Sequence, residues 1–420
     1  MRCEVGSWWE VLRITLSGLP PCDGYGDGSR SQQCSIEAGA EPQTPSFQSP
    51  PAARRMQGIL MPLFPLNLGG WAFFFSITTA SYEYAYSYSY ERPPCPASLR
   101  IMTYNVHAWR DCSHVDNFQR VVEAVQAVQP DICCLNEVLH PFVAPKGSDG
   151  LSYYEDVKDG KGRGLALPRD HLPSKVEDSF LYRLAKDTGL QYLEYGAADP
   201  VDSSFGRVPF GNAILSRYAI KSCTHVPLEV DEGDIDLGFQ KRDIVDPRQA
   251  IVATVDVDGK CVGLISTHLD QKSEELRGKQ TMKVVKAATN ILSSECPTII
   301  CGDFNSFRRS DMDEATWRDL CELYESRTWG RPNEVSLVLK ALEDDGYADT
   351  FAFSGDQYPK PTCWTDTPVM RIDHMLVKSP QVKSEKQKSH YDIKALTHQR
   401  VEVDGSDHFP IFSEFEIITE

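Results

Sequence analysis

Short apolar runs in this chain repeatedly stop on a polar or ionisable side chain, and that habit limits the folds open to it. Residues 99–104 close on Asn105, and the run 131–138 carries Glu137 near its end. Residues 264–267 lead to His268, and 299–301 lead to Asp303 and Asn305. Asp373 lies inside 371–376, and Asp407 and His408 precede 409–412. Runs of this length, rich in β-branched residues, read as buried strands. Taken singly, each polar residue is an ordinary turn or cap residue. If the strands lie side by side, their ends converge on one edge of a sandwich, and carboxylates, amides and two imidazoles share a pocket.

The runs are confined to one part of the chain. Residues 1–97 contain no Lys, 11 Pro and a low-complexity stretch, SYEYAYSYSY. They read as a poorly structured leader. The apolar segment 58–80 is long enough for a membrane span, but Pro62, Pro65, Asn67, Gly69 and Gly70 interrupt it. A signal anchor or internal targeting segment is the alternative reading. From 98 to 420 the text is regular, so these residues are expected to form one large domain. Helices are expected near 116–129, around 180–188, over 273–294, and near 313–324 and 334–344. Phe118, Val121, Val122, Val125 and Val128 recur at helical spacing, Pro130 ends that helix, and Ser273 opens a later one. Further strands are expected at 212–215, 250–257, 371–377 and 409–417. Strands and helices alternate loosely, with extra hairpins. The expected class is therefore α+β: a four-layer αββα sandwich of two mixed or antiparallel sheets flanked by helices.

Charge and cysteine usage narrow the function. Net charge is -17, of which -15 falls in 98–420. The wide basic face that supplies salt-dependent nucleic-acid affinity is absent. An enzyme that meets phosphates through a metal and a few local cations remains open. The 13 Cys form no zinc-type spacing. An odd number without a framework suits a reducing compartment, with cytoplasm or nucleus favoured.

The polar set suits phosphoester hydrolysis. Hard oxygens such as Glu137 and Asp407 fit Mg²⁺, or Mn²⁺, rather than Zn²⁺. Water attacking phosphorus needs a base, and charge must be neutralised on the phosphoryl oxygens. A His held by an Asp supplies a base of fixed tautomer. Amide side chains donate to phosphate without adding negative charge.

The segments TYNVH (103–107), LNEV (135–138), STHL (266–269), GDFNS (302–306), RIDHML (371–376) and GSDHFP (405–410) occur in an order that resembles the endonuclease/exonuclease/phosphatase superfamily. The resemblance covers essentially all of 98–420. It implies metal ligation by Glu137, with Asn105 and Asp407 beside it. It implies that Asp303 orients or deprotonates the attacking water, or is a second metal ligand, and that Asn305 donates to phosphate. His408 paired with Asp373 is implied as general base or transition-state stabiliser, and His268 as a phosphate contact or leaving-group acid. Neighbours on a strand face opposite ways, so His107 and His374 are expected to turn from this chemistry.

Asn212, Arg308 and Trp364 are further candidates for substrate contact, and 246–248 (DPR) reads mainly as a turn. The substrate reading ranks nucleic acid first and a phospholipid or inositol phosphate second. A non-catalytic scaffold is a third reading, and the completeness of the residue set argues against it.

Overall fold

In the computed structural model, the chain divides into two compact units, Met1–Ser87 and Tyr88–Glu420. Residues 65–68, 71–74, 98–140, 175–203, 206–229, 247–380 and 391–419 are described here. In the first unit, β1 (Pro65–Leu68) pairs antiparallel with β2 (Trp71–Phe74), inside the apolar 58–80 stretch. The rest of that stretch lies outside the described residues. No helix among the described residues is long and apolar enough to cross a membrane.

The second unit holds two mixed six-stranded sheets. One contains β3 (Ser98–Asn105), β4 (Ile132–Leu139), β5 (Tyr192–Ser203), β6 (Gly206–Ser216), β13 (Tyr391–Arg400) and β14 (Ile411–Thr419), in the order β13-β14-β3-β4-β6-β5. The other contains β7 (Ala219–Pro227), β8 (Gln249–Val257), β9 (Lys260–His268), β10 (Thr298–Asp303), β11 (Ala348–Asp349) and β12 (Asp373–Lys378), in the order β11-β12-β10-β9-β8-β7. Each sheet has one parallel pair, β3 with β4 and β9 with β10; every other pairing is antiparallel.

A parallel pair needs a crossover, and a helix supplies each one. The helix α1 (Phe118–Val128) joins β3 to β4, and α3 (Glu274–Ile291) joins β9 to β10. In α1 the apolar residues at helical spacing are the buried ones, and Gln129 ends the helix in the left-handed region. Ser273 opens α3 by accepting from the Leu276 amide. Alongside lie α2 (Phe180–Thr188), α4 (Glu314–Ser326) and α5 (Leu337–Asp344).

Three apolar layers follow from strand alternation. Between the sheets, Ile101, Ile132, Ile214, Ile251, Leu264, Ile299, Met375 and Phe415 pack as one cluster. The opposite faces of β3 and β4 pack on α1 and α2 through Met102, Tyr104, Cys133 and Leu135. Ile265, Ile300 and Leu376 of the other sheet pack on α3 and α5. This is the expected four-layer α+β sandwich.

The strands of this unit left unassigned by the sequence are β5, β7, β11 and β13. All four are sheet edges, where half-exposed, polar-rich text gives no clean alternation. One cysteine result also departs from expectation: Cys261 and Cys296 form a disulfide across 35 residues, joining the start of β9 to the loop before β10.

Candidate active site

The carboxyl ends of both parallel pairs reach the same edge of the sandwich. Asn105 faces Asn136 in register across β3 and β4, and Asp303 faces His268 across β9 and β10. Asn136 stitches the two ends together. Its Oδ1 accepts from the Asp303 amide at 2.9 Å, and its Nδ2 donates to Asn212 Oδ1 at 2.9 Å and reaches Thr267 O at 3.3 Å. Gly302 permits this approach. Its φ is +141°, and a Cβ there would lie 1.9 Å from Thr267 O. The chain also departs from regular geometry at two site residues: Glu137 (φ +55°), where the β4–β6 register shifts, and Asn305 (φ +50°). Such outliers cost of order 1–3 kcal/mol and persist where surrounding structure enforces them.

Asp303 is the centre, and it is almost fully buried. Asn105 Nδ2 donates to Asp303 Oδ2 at 3.0 Å and to Glu137 Oε1 at 3.1 Å. The same Asp303 oxygen lies 3.4 Å from His268 Nε2 and 3.7 Å from His408 Nε2. Asn305 folds back, its amide N–H donating to Asp303 Oδ1 at 2.9 Å. Burial pushes the Asp303 carboxyl up to about 7; His408 opposes the shift, while Asp373 and Glu137 add to it.

The two imidazoles differ. His408 Nδ1 donates to Asp373 Oδ2 at 2.8 Å, and Thr362 Oγ1 holds Asp373 by accepting from its amide at 3.2 Å. Burial disfavours the His408 imidazolium, but Asp373, Asp407 and Asp303 outweigh it, and the group is held well above the usual histidine range. His268 goes the other way: burial, then Arg248, hold it well below that range, so it is neutral. Arg248 Nη1 lies 3.0 Å from His268 Nδ1. Arginine only donates, so Nδ1 must accept and the ring proton sits on Nε2, facing Asp303 and Glu137. Asn305 Nδ2 lies 3.0 Å from that Nε2 and 3.1 Å from Leu269 O; a side-chain amide can turn its oxygen to a ring N–H, whereas arginine has only donors, so Arg248 fixes the tautomer.

Asp407 stands at the rim beside His107 and His408, with its Oδ1 3.6 Å from His107 Nδ1 and 4.0 Å from His408 Nε2. Ser406 Oγ donates to Asn105 O at 2.8 Å and so anchors this loop. His107 does not turn away as the alternation rule implied. The strand ends at Asn105, and His107, Ala108 and Trp109 follow with positive φ, swinging His107 to Asp407. His374 lies inside β12 and points away, meeting Ser306 O at 2.8 Å and stacking on Phe304.

Asn105, Glu137, His268, Asp303, Asn305, Asp373, Asp407 and His408 therefore come together. Asn212 and Arg308 do not present themselves to a substrate there. Asn212 is buried between Asn136 and Gln249 O. Arg308 is directed at Asp311, Glu343 and Asp349 at 2.8, 2.5 and 3.5 Å. A loop arginine among carboxylates pairs locally before it reaches solvent. Trp364 sits at the rim, next to Cys363, whose backbone bridges to His408, and its ring is 6.2 Å from that of exposed Trp329. The sequence reading missed Asn136 and Arg248. Each lay within a quoted motif or turn, but neither residue type announces a bracing role without the fold.

Two carboxylates and an imidazole, Glu137, Asp303 and His268, present ligand atoms within 4.8 Å of one another. The oxygens of Glu137 and its neighbouring carboxylates are hard donors of the kind a divalent ion takes, so the pocket fits one. A family profile described as Endonuclease/Exonuclease/phosphatase family matches residues 102–408, and the chain belongs to that family. This membership supports a metal-dependent phosphoesterase, a hydrolase acting on phosphoesters. No curated protein matches the chain.

Among solved structures, an endonuclease/exonuclease/phosphatase from Beutenbergia cavernae DSM 12333 is similar at 20% identity, covering 76% of this chain and 72% of that one, with a TM-score of 0.51. The human Nocturnin catalytic domain with bound sulfate anion matches at 16% identity over 77% and 94% of the two chains, TM-score 0.45. D. rerio TDP2 complexed with single strand DNA product matches at 14% over 76% and 99%, TM-score 0.43. The first of these likenesses is one of fold.

Proposed function

We propose that residues 98–420 hydrolyse phosphoesters by direct attack of water, with Mg²⁺ as the metal and a nucleic-acid strand as substrate. The observation that carries this reading is the convergence on Asp303 of an amide, Asn105, and two imidazoles of opposite character, His268 and His408. Glu137 would hold the ion, with Asn105 and Asp407 beside it, leaving Asp303 free to act on the water. When bound, the ion supplies charge neutralisation on the phosphoryl oxygens.

The chain's own groups divide the remaining work. Asp303, lifted toward neutrality, takes the proton of the attacking water. The His408 imidazolium, fixed by Asp373, donates to a phosphoryl oxygen as charge grows there. His268, held neutral with Nε2–H facing inward, donates a hydrogen bond to a second oxygen without adding charge. Asn305 orients Asp303 through its amide. Trp364 and Trp329 at the rim offer flat faces on which a base can stack, which favours a nucleic acid over a lipid headgroup.

The test is hydrolysis of single- and double-stranded DNA, RNA, sphingomyelin and inositol phosphates by the full chain, with Mg²⁺ or EDTA. Turnover of a nucleic acid that is abolished by EDTA, and reduced about 10²–10⁴-fold in both Asp303→Ala and His408→Ala, is expected. Turnover of a lipid or inositol phosphate alone would overturn the substrate, and undiminished turnover by either variant would overturn the mechanism.

A further inference from the structure

A second group of ligating side chains lies outside this site, at the lateral rim of the sandwich. Glu194 is on β5 and Cys223 and His225 are on β7, the edge strands of the two different sheets. One ligand atom from each, a carboxylate oxygen, a thiol sulfur and an imidazole nitrogen, falls within 4.8 Å of the others. The Cys223 thiol donates to the Glu194 carboxylate.

Register shows how they meet. Cross-strand partners share a face. Glu194 is partnered with Ile214, Cys223 with Ala253 and His225 with Ile251. Ile214, Ala253 and Ile251 all belong to the apolar cluster between the sheets. Cys223 and His225, two apart on one strand, therefore face inward together. All three side chains enter the mouth of the inter-sheet gap, where alternation would otherwise place apolar residues to close it. Cys223 and Glu194 are half-buried and His225 is exposed, so the group is shielded on the core side and open to solvent on the other.

We propose that Glu194, Cys223 and His225 bind Zn²⁺ and clamp edge strand β5 to edge strand β7. The donor set selects the ion. Mg²⁺ and Ca²⁺ take oxygen ligands, whereas one thiolate, one imidazole and one carboxylate match the ligands of tetrahedral zinc. In such a site the donors stand about 3.3–3.8 Å apart, so closing on the ion needs side-chain movement of about 1 Å. Binding displaces the thiol proton to solvent, and water fills the fourth position on the exposed side. The site is separate from the oxygen-rich pocket at Asp303, and its role is to hold two unpaired sheet edges together.

The experiment is a Co²⁺ titration of the full chain in excess Mg²⁺, which competes for the oxygen-rich pocket, followed by displacement with Zn²⁺. One equivalent of Co²⁺ giving a thiolate-to-metal charge-transfer band, erased by Zn²⁺ and absent in Cys223→Ser, is expected. His225→Ala and Glu194→Gln should each lose about tenfold or more in affinity. Zn²⁺ should raise the Tm of the wild type by more than that of His225→Ala at the same concentration. His225 is exposed, so this variant keeps the test usable even where Cys223→Ser fails to fold. Absence of the band in the wild type, its survival in Cys223→Ser, or an unaltered affinity in His225→Ala would overturn the proposal.

Discussion

The proton of one imidazole decides how the pocket works, and one arginine decides where that proton is. Arg248 meets His268 Nδ1 at 3.0 Å, and it can only donate. His268 therefore offers N–H, rather than a lone pair, to whatever occupies the space before Asp303. Arg248→Met should lower kcat by about 10–100-fold, the usual cost of losing a group that orients an active-site histidine. The check is paired: steady-state kinetics, and ¹⁵N shifts of the His268 ring, which should move from the Nε2–H toward the Nδ1–H tautomer. Unchanged kinetics together with unchanged ring shifts would reduce Arg248 to a packing residue. The sequence placed Arg248 in a turn because an arginine after proline has no local signature of function. Its meaning comes from strand β8 carrying it to the end of β9. Asn305, Asp303 and His408 were legible earlier because their motifs lie at strand ends, where topology leaves little freedom. Arg308 was misjudged for the opposite reason. Position next to a motif says nothing about the carboxylates that the fold brings to meet it, here Asp311, Glu343 and Asp349.

The elements that carry the site depend on a close approach between strands. At Gly302 a side chain would drive into Thr267 O of β9 and press on Asn136 Oδ1 of β4, and the φ of +141° is unfavourable for any other residue. Gly302→Ala should cost about 2 kcal/mol or more, several degrees of Tm. It should also lower activity beyond what the stability loss explains, because Asp303 and His268 are register partners across that junction. Thermal melts set beside activity measured well below Tm separate the two effects, and a variant with lower Tm but wild-type turnover would show that the register tolerates the change. The central strands, α1 and α3 were legible in the sequence, since buried runs and helical spacing report burial directly. The edge strands β5 and β7 were not. Their residues meet water on one side and a neighbour on the other, and β7 alternates irregularly between half-buried and exposed positions. Pairing in space, invisible to local pattern, makes them strands.

At the scale of the whole molecule, charge and burial set the response to solution conditions. With a net charge of -17, and with Arg308 beside the Asp303 loop held by carboxylates, a nucleic-acid substrate should be met mainly through the metal. Raising salt from 50 to 200 mM should change KM for a nucleic-acid substrate by about tenfold or less, against the 10³–10⁵ of a binder with many phosphate contacts; a steeper slope would reveal a basic surface. Acid should act more strongly, through buried neutral histidines. Burial holds His374 down to about 3 and His140 and His398 down to about 4, against about 6.5 in an unfolded chain. The unfolded state then binds more protons than the folded one as pH falls through 6.5. The contribution of these three groups is level above that pH, declines as pH falls to about 4 and, for His374, to about 3, and levels again once they are protonated in the folded state. His398 reports this best. It is buried beside Thr350 Oγ1 at 2.9 Å and Ser413 Oγ at 3.2 Å, and no site residue touches it. His398→Gln keeps a group able to hydrogen-bond there and removes the titration. Between pH 7 and 5 the variant should lose about 1–2 kcal/mol less stability than the wild type. Urea unfolding at the two pH values measures the difference directly. Equal losses in both proteins would mean that His398 takes up its proton without unfolding, through an opening of the β13 edge.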